Sequence, residues 1–573
     1  MNYRWLAVFI FFLVSCGSNT KKSPKQLSIV SHIGHSPEDL HPINGNSAPR
    51  LELFHYMHTS LAKDDIVNQK MAPDALVRIP EYNSAERKYE CELRDFMTFD
   101  DGSPVTTSDV LFSLKLQVCP NMLNGSRKHN FENINDIEVK DDKHFDFMCR
   151  RPNVEDVSMW SQYPILQQSV FDSAGIFNAV TFEELKADTN IPDAVTQWVE
   201  EFNKPIYGSE LKWLQGMGPY KISAWTENEV ILRKKANHWS EKSPLDLHRC
   251  YADQLIFKVN QDPNAKYLDV KNQLVDVSSG FSSIQMSKLM EDTSISNNYN
   301  AYYVSQYSFT LITLNLRPEV VNRAPIFSDK LVRQAFAHAL PIQDAIDKLS
   351  NGTASRIASP VSINKPEHND NLKPYEYDVA RSIALLKEAG WSDSDGDGIM
   401  DKMIDGNKQD LKITLTIPPF PVVESISKIM LEGLRQAGFS ASVDKPADWK
   451  TRLEDTHDFD CLLHSISSSF GPVYPLGLYD SESYPVGINF SGYSNPVIDS
   501  LRADISRSMN YDERKELLDR FQEIVYDDLP YAYLTTGKRG LFVNKRLGTV
   551  SPSGALPTLF LNTIELAGQD PTH

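Results

Sequence analysis

A mixed α/β protein of more than one lobe is what this chain predicts. Strand-like alternations and helix-periodic segments follow one another along it, without internal repeats or low-complexity blocks, which is the pattern of α/β lobes rather than of a bundle or an all-β domain. A body of about 550 residues also exceeds what one hydrophobic core ordinarily serves, so two or more lobes are expected. Behind the amino terminus no second long apolar run appears.

The first element is an address rather than structure. Arg4 and the amino terminus form a short positive region, residues 5–14 are ten apolar residues, and Leu13-Val14-Ser15-Cys16 has the form of a bacterial lipobox. Ten residues fall well under the roughly 20 that span a bilayer, so a cleaved and lipidated leader is expected over 1–16, with the lipid on Cys16. The polar, basic stretch 17–26 suits a flexible tether. The mature chain is therefore expected on the periplasmic or cell-surface side of a bacterial membrane, held by its lipid.

Strands follow at 88–96 and 144–150, and helices at four places. Thr106-Thr107-Ser108-Asp109 has the spacing of a capping box ahead of Val110, Leu111 and Leu114, directly after the turn 100–104. Ser328 is expected to cap a helix whose Leu331, Val332, Ala335, Phe336 and Ala339 recur at three and four residues, with Pro341 ending it. Asp378 opens a third helix through Val379, Ile383 and Leu386, closed by Gly390. Asn510 and Glu513 open a fourth, with Leu517, Phe521, Ile524 and Val525 as its buried stripe and Pro530 as its stop. A strand over 303–314 would set Tyr303, Tyr307 and Phe309 on one face.

Charge and cysteines narrow the function classes. A net charge of −18, with no long Lys/Arg cluster, gives no basic face for neutralising phosphates, so no nucleic-acid partner is expected. Besides Cys16 there are five cysteines, Cys91, Cys119, Cys149, Cys250 and Cys461, too few for a disulfide scaffold of this size. Cys91 and Cys149 lie in the strands 88–96 and 144–150, and would pair if these were neighbours in suitable register.

Segments spread from residue 99 to residue 501 carry a family resemblance. Phe99-Asp100-Asp101-Gly102-Ser103-Pro104-Val105-Thr106-Thr107-Ser108-Asp109-Val110, Met217-Gly218-Pro219-Tyr220-Lys221-Ile222 and Lys235-Ala236-Asn237-His238-Trp239 come first. Val332-Arg333-Gln334-Ala335-Phe336-Ala337-His338-Ala339-Leu340, Leu385-Leu386-Lys387-Glu388-Ala389-Gly390-Trp391 and Asn495-Pro496-Val497-Ile498-Asp499-Ser500-Leu501 follow in order. Together they resemble the extracellular solute-binding proteins of family 5, which serve oligopeptide, dipeptide and nickel ABC importers.

That resemblance implies a type II periplasmic-binding-protein-like clamshell of the large peptide-binding subclass, two α/β lobes joined by hinge strands. It implies a first lobe over 27–259, rejoined by 532–573, and a second over 260–531, with crossings near 257–260 and 530–534. Such a protein closes on an oligopeptide-like or other small polar solute and presents itself to ABC permease subunits, making and breaking no bond. No cofactor is required.

In peptide binders of this family an Asp before a Pro pairs with the peptide's ammonium, and the matching loop here, 464–475, has Ser468 at that place. Ser465, Ser467, Ser468 and Tyr474 from the loop, with Tyr307, are the expected ligand-binding residues. A hydroxyl cannot balance a buried ammonium, which favours a neutral polar or capped solute unless an acid such as Asp460 or Asp480 takes the role.

Two local patterns concern metals. Asp393, Asp395, Asp397 and Asp401, with Gly398 at the sixth place, alternate as in a calcium loop, although the twelfth place is Ile404 and not the usual Glu. A plain hairpin turn accounts for such a loop, and a bound calcium ion, structural in role, is the alternative. His32, His35, His41, His55 and His58 cluster near the mature amino terminus, and on a helix His55 and His58 would share a face, so a metal or metallophore receptor is the second reading. His32-Ile33-Gly34-His35 spells a synthetase nucleotide-binding tetrapeptide, but it stands behind an export signal without its strand-to-helix context, so no enzyme is expected. A ligand-sensing surface lipoprotein without transport role is the remaining alternative.

Overall fold

The computed structural model describes residues 27–568 except 46, 124–127, 318–323, 350–352, 405, 469 and 473; the leader, Cys16 and the tether lie outside them. Two large sheets organise the described residues. The first has seven strands in the order Tyr299–Ser305, Lys538–Asn544, Val277–Phe281, Ser28–Ile33, Gln254–Val259, Glu229–Lys234 and Tyr220–Trp225. Ser28–Ile33 runs parallel to Gln254–Val259, with Ile29 opposite Leu255, and these apolar positions are fully buried in the core beneath. The second has six strands in the order Ser355–Arg356, Tyr531–Thr536, Phe309–Leu314, Cys461–Ile466, Lys412–Thr416 and Ser440–Asp444. A strand–helix–strand unit runs Lys412–Thr416, Pro421–Gln436, Ser440–Asp444 within it, with the two strands parallel, as a crossover helix permits.

A smaller antiparallel sheet of Tyr82–Asn83, Lys88–Glu92, His144–Cys149 and Ile134–Val139 forms a third body between the early strands of the first sheet. It packs on the helix Thr107–Val118 through a core that includes Tyr89, Phe112, Phe147 and Trp160. The capping box opens that helix as expected, the Asp109 carboxylate accepting from the Thr106 N–H at 2.9 Å and the Thr106 hydroxyl at 2.8 Å. Asp378 caps Val379–Glu388 and Asn510 caps Tyr511–Asp528, each accepting a backbone N–H three residues on. The cap of Lys330–His338 is Asp329 rather than Ser328, whose hydroxyl donates back to the Pro325 carbonyl instead.

Four expectations are corrected. The stretch 303–314 is not one strand: Tyr299–Ser305 ends in the first sheet and Phe309–Leu314 begins in the second, so Tyr307 sits at the crossing. The first crossing is therefore at 306–308 rather than near 257–260. After Gln254–Val259 the chain makes the helix Pro263–Lys271 and returns to the same sheet at Val277–Phe281, placing 277–305 in the first lobe. The return crossing is at Gly537, just beyond Tyr531–Thr536. Cys91 and Cys149 do lie on neighbouring strands, but Cys91 faces Phe145 and Cys149 faces Ile134, so register keeps the two thiols apart and both are free.

Candidate functional site

The helix Ala48–Met57 builds one wall of a cavity in the first lobe. Its Leu53 and Tyr56 pack down onto the first sheet, Tyr56 lying 6.2 Å from Tyr220 and 5.8 Å from Phe257 between ring centroids. Arg50, Leu51, Glu52, Phe54, His55 and, just past the helix, His58 turn to a space of about 410 Å³. Lys63 and Asp64 from the strand Ala62–Asp65, with Asp74, Ser161, Gln162, Leu556 and Pro557, also line it. That volume is within the roughly 300–1,000 Å³ of small-molecule sites, and the mixture of apolar walls with a few charged groups is what such sites share.

The charged groups are not equivalent. The Arg50 Nε and Nη2 donate to the His41 carbonyl, and its guanidinium lies 3.9 Å from the Phe54 ring centroid. Lys63 Nζ donates to the His55 carbonyl at 3.2 Å. Asp74 meets His248 Nε2 at 2.8 Å, both side chains buried, and although burial alone would raise it, His248, Lys63 and the Ser60 N–H hold its carboxyl below the ordinary value. Burial lifts the Glu52 carboxyl to about 7, against the opposing pull of Arg539, and lifts Asp64 against its hydrogen bond to Ser161. Burial also lowers both imidazoles, His55 well below its usual value and His58 to about 3, so each is neutral in the cavity wall. His55 Nε2 and His58 Nδ1 are buried without a hydrogen-bond partner.

Beside the cavity an apolar cluster joins the lobes. Ile66, Ala555 and Phe560 come from the first-sheet side, Phe470 from the second-lobe loop and Tyr307 from the crossing. Phe560 also stacks on His55 at 4.5 Å, so the cluster and the cavity share a wall.

The expected ligand-binding residues fall around this cluster rather than on the cavity. Tyr307 is 2 % exposed and 6.3 Å from Phe470. Tyr474 is buried under Lys365, whose Nζ lies 4.9 Å from its ring and donates to the Gly471 carbonyl. Ser465 is exposed and bonds Thr310 across the strand pair at 3.0 Å; Ser467 is exposed and Ser468 half-buried. Of the alternative acids, Asp460 accepts the Thr414 N–H and Asp480 is paired with Arg502 at 2.8 Å. Sequence reasoning missed Arg50, Glu52, Lys63, Asp64 and Asp74. The signal for the first two was there, charges set inside the otherwise apolar helical run 48–57.

Of the four acids expected to hold calcium, the structure gathers Asp393, Asp395 and Asp397, with ligand atoms within 4.8 Å of one another. Asp401 is turned away to the Ser394 N–H and hydroxyl, because it begins the hairpin Asp401–Ile404 and Asn407–Asp410. Lys408 pairs with Asp395, and Asp393 accepts from the Gly396 and Gly398 N–H groups. Three carboxylates partly engaged in this way fall short of the six to eight oxygens calcium takes, so the donor set fits it poorly without added water. The histidines also separate. His32 bonds Ser278 and Asp269, His41 bonds the Phe202 carbonyl, His35 is exposed, and only His55 and His58 reach the cavity.

Comparison with known proteins agrees with this architecture. The chain is 25 % identical over 560 residues to the oligopeptide-binding protein AppA of Bacillus subtilis, covering 92 % of this chain and 91 % of that one. It is also 25 % identical over 333 residues to the nickel-binding periplasmic protein of Escherichia coli, covering 56 % and 59 %. The solved oligopeptide-binding protein from Thermus thermophilus, complexed with a pentapeptide, superposes with a TM-score of 0.70 at 19 % identity, over 94 % of this chain and 96 % of that one. No helix among the described residues is long and apolar enough to cross a membrane. Residues 70–483 match the family described as bacterial extracellular solute-binding proteins, family 5 Middle, and the chain, two-lobed and mixed α/β, belongs to that family.

Proposed function

We propose that the mature chain is the substrate-binding lipoprotein of an ABC importer, anchored through Cys16, and that it captures an oligopeptide-like solute between its lobes. The observation that carries this reading is the first-lobe cavity of about 410 Å³, charged on its walls and adjoining an apolar cluster drawn from both lobes. A solute seated there favours the closed arrangement, and the closed arrangement is what permease subunits recognise. Phe470 brings the second lobe to the cluster beside the cavity. The anchor is checked separately: Cys16→Ser should move the chain from the membrane to the soluble fraction.

A second reading is favoured by one observation, the two neutral imidazoles of His55 and His58 in the cavity wall, which suit a transition-metal complex as cargo. A thermal-shift screen of the lipid-free chain separates the two, using a tripeptide library, nickel and haem, sugars, and calcium with and without chelator. A solute at a hundred times its dissociation constant adds about 2.7 kcal/mol, a readily measured rise in Tm. Shifts by peptides alone support the importer reading for peptides, and shifts by nickel or haem alone replace it with the metal one. No shift by any solute leaves the lipoprotein as a sensor or structural partner and sinks both. A calcium ion at Asp393, Asp395 and Asp397 would stiffen one loop and has no part in capture; the calcium arm reports it.

A further inference from the structure

The two lobes also meet away from the cavity, at the first-lobe turn 153–156. That turn is pinned to its own side: the Asn153 carbonyl accepts from the Tyr89 hydroxyl at 3.3 Å, and the Asp156 carboxylate accepts from Asn133 Nδ2 at 2.6 Å and from Asn153 Nδ2 at 2.8 Å. What it offers the other lobe is a backbone donor and the Glu155 carboxylate. The Val154 N–H donates to the Ser506 carbonyl at 2.7 Å. Ser506 stands in the last turn of the helix Pro496–Arg507, where carbonyls have no donor within the helix, so the first lobe satisfies a helix end of the second. The Tyr474 N–H of the second lobe donates to the Glu155 carboxylate, and Arg502 and Lys365 face that carboxylate from two further second-lobe segments. Lys365, 5 % exposed, fixes the loop that carries Tyr474, its Nζ donating to the Gly471 carbonyl at 3.0 Å and lying 4.9 Å from the Tyr474 ring centroid. Val154, Glu155, Lys365, Tyr474, Arg502 and Ser506 are not among the residues that line the cavity.

We infer that the turn 153–156 and its second-lobe partners form an interlobe latch, which holds the closed arrangement without touching the cavity and loosens when Glu155 gives up its proton. Of its two backbone donors, the Val154 N–H meets a neutral carbonyl and the Tyr474 N–H a carboxylate, so only the second bond depends on pH. Separating the lobes returns Glu155 to water. Between the lobes burial outweighs Arg502 and Lys365, and with Asp156 adjoining it lifts the carboxyl from 4.5 to about 7. The closed form therefore keeps a proton that the open form releases: the contribution of Glu155 to closure is full below pH 4.5 and is lost as pH rises through 7. Its neighbours do not cancel this. Burial lifts Asp156 to about 6, but its bonds lie within the first lobe and persist when the lobes part. Burial lowers Lys365 to about 8, so it stays charged through the lower range, and Arg502 is held by Asp480 within the second lobe. Tyr474 is raised by burial and stays neutral, with Glu367 and Arg514 of its own lobe beside it.

Hydrogen–deuterium exchange of the lipid-free, solute-free chain tests this, because the Val154 and Tyr474 amides are protected while the latch is shut and exchange reports even rare openings. After correction for each amide's intrinsic rate, both protection factors in wild type should be about tenfold higher at pH 5.5 than at pH 7.5, and should move together although they belong to opposite lobes. Glu155→Gln keeps an acceptor without the charge, so both amides should hold the wild-type pH 5.5 level at either pH. Glu155→Arg sets a third cation against Arg502 and Lys365 and should lower both protection factors at each pH, while amides of the strand Ser28–Ile33 stay protected and show the fold intact. The inference is overturned if wild-type protection is flat across this range, if one amide responds without the other, or if Glu155→Gln keeps the pH dependence. Protection highest at pH 7.5 and lost in Glu155→Gln would make the contact an ion pair with Arg502 and Lys365, and overturns it as well. No solute enters the experiment, so its result stands apart from what the cavity holds.

Discussion

His41 shows how one side chain can tie a loop to a lobe and make the tie sensitive to acid. Its Nδ1 accepts the Ile43 and Asn44 N–H groups at 3.1 and 3.0 Å, while Nε2 donates to the Phe202 carbonyl at 2.7 Å. A protonated ring cannot accept, and burial lowers this imidazole from 6.5 to about 4. Between those values the unfolded chain takes a proton that the folded chain refuses, so stability is full above pH 6.5 and falls as pH drops toward 4. The loss through His41 should be on the order of 3 kcal/mol; denaturant midpoints from pH 7 to pH 4 should fall less steeply in His41→Gln than in wild type. Little of this was legible beforehand. The five histidines stand out as a group in the sequence, yet what separates a structural His41 from a cavity-lining His55 is the partner each meets, Phe202 in one case and Phe560 in the other, both far along the chain. Glu52 is hidden for the same reason, because its place in the cavity and its pull from Arg539 are properties of the assembled walls.

At the scale of elements, legibility follows locality. The helices Thr107–Val118, Val379–Glu388 and Tyr511–Asp528 announce themselves through caps and stripes complete within a few residues, and the structure places them as expected. The strand over 303–314 fails because β-forming composition continues through the crossing, and nothing local says that its two halves join different sheets. The segment Met217-Gly218-Pro219-Tyr220 lies between these cases: recognisable as a motif, but explained only by what it touches. Gly218 N–H donates to the Met57 carbonyl at 2.8 Å, and a Cβ on Gly218 would stand 2.4 Å from the Met57 carbonyl carbon and 2.5 Å from the Tyr56 carbonyl oxygen. The glycine thus lets the strand Tyr220–Trp225 dock against the end of the cavity helix Ala48–Met57. Gly218→Ala should force that helix end outward and cost about 1–3 kcal/mol. A fall in Tm accompanied by weaker solute binding is the expected result, whereas an unchanged Tm would mean the contact relaxes freely.

For the whole molecule the question is what holds the two lobes together when the cavity is shut. Among the described residues the covalent links are the crossings at 306–308 and Gly537, joined by the Gln306 N–H to Gly537 carbonyl bond at 3.0 Å. Across the cleft the Val154 N–H donates to the Ser506 carbonyl at 2.7 Å, and the cluster of Ile66, Tyr307, Phe470, Ala555 and Phe560 buries apolar surface from both sides. Tyr307 lies at the centre of this arrangement, and its hydroxyl is buried without a partner, so it is the ring that favours closure while the oxygen opposes it. Apparent solute affinity scales with the fraction of molecules in the binding-competent closed state. Tyr307→Ala should therefore raise the radius of gyration of the ligand-free chain and weaken solute binding by about tenfold for each 1.4 kcal/mol removed from the closed state. Tyr307→Phe keeps the ring and discards the orphaned hydroxyl, so its affinity should equal or exceed that of wild type. Were Tyr307 instead a ligand contact through its hydroxyl, the phenylalanine variant would lose affinity while scattering stayed unchanged, and paired measurements on the two variants decide between a clasp and a contact.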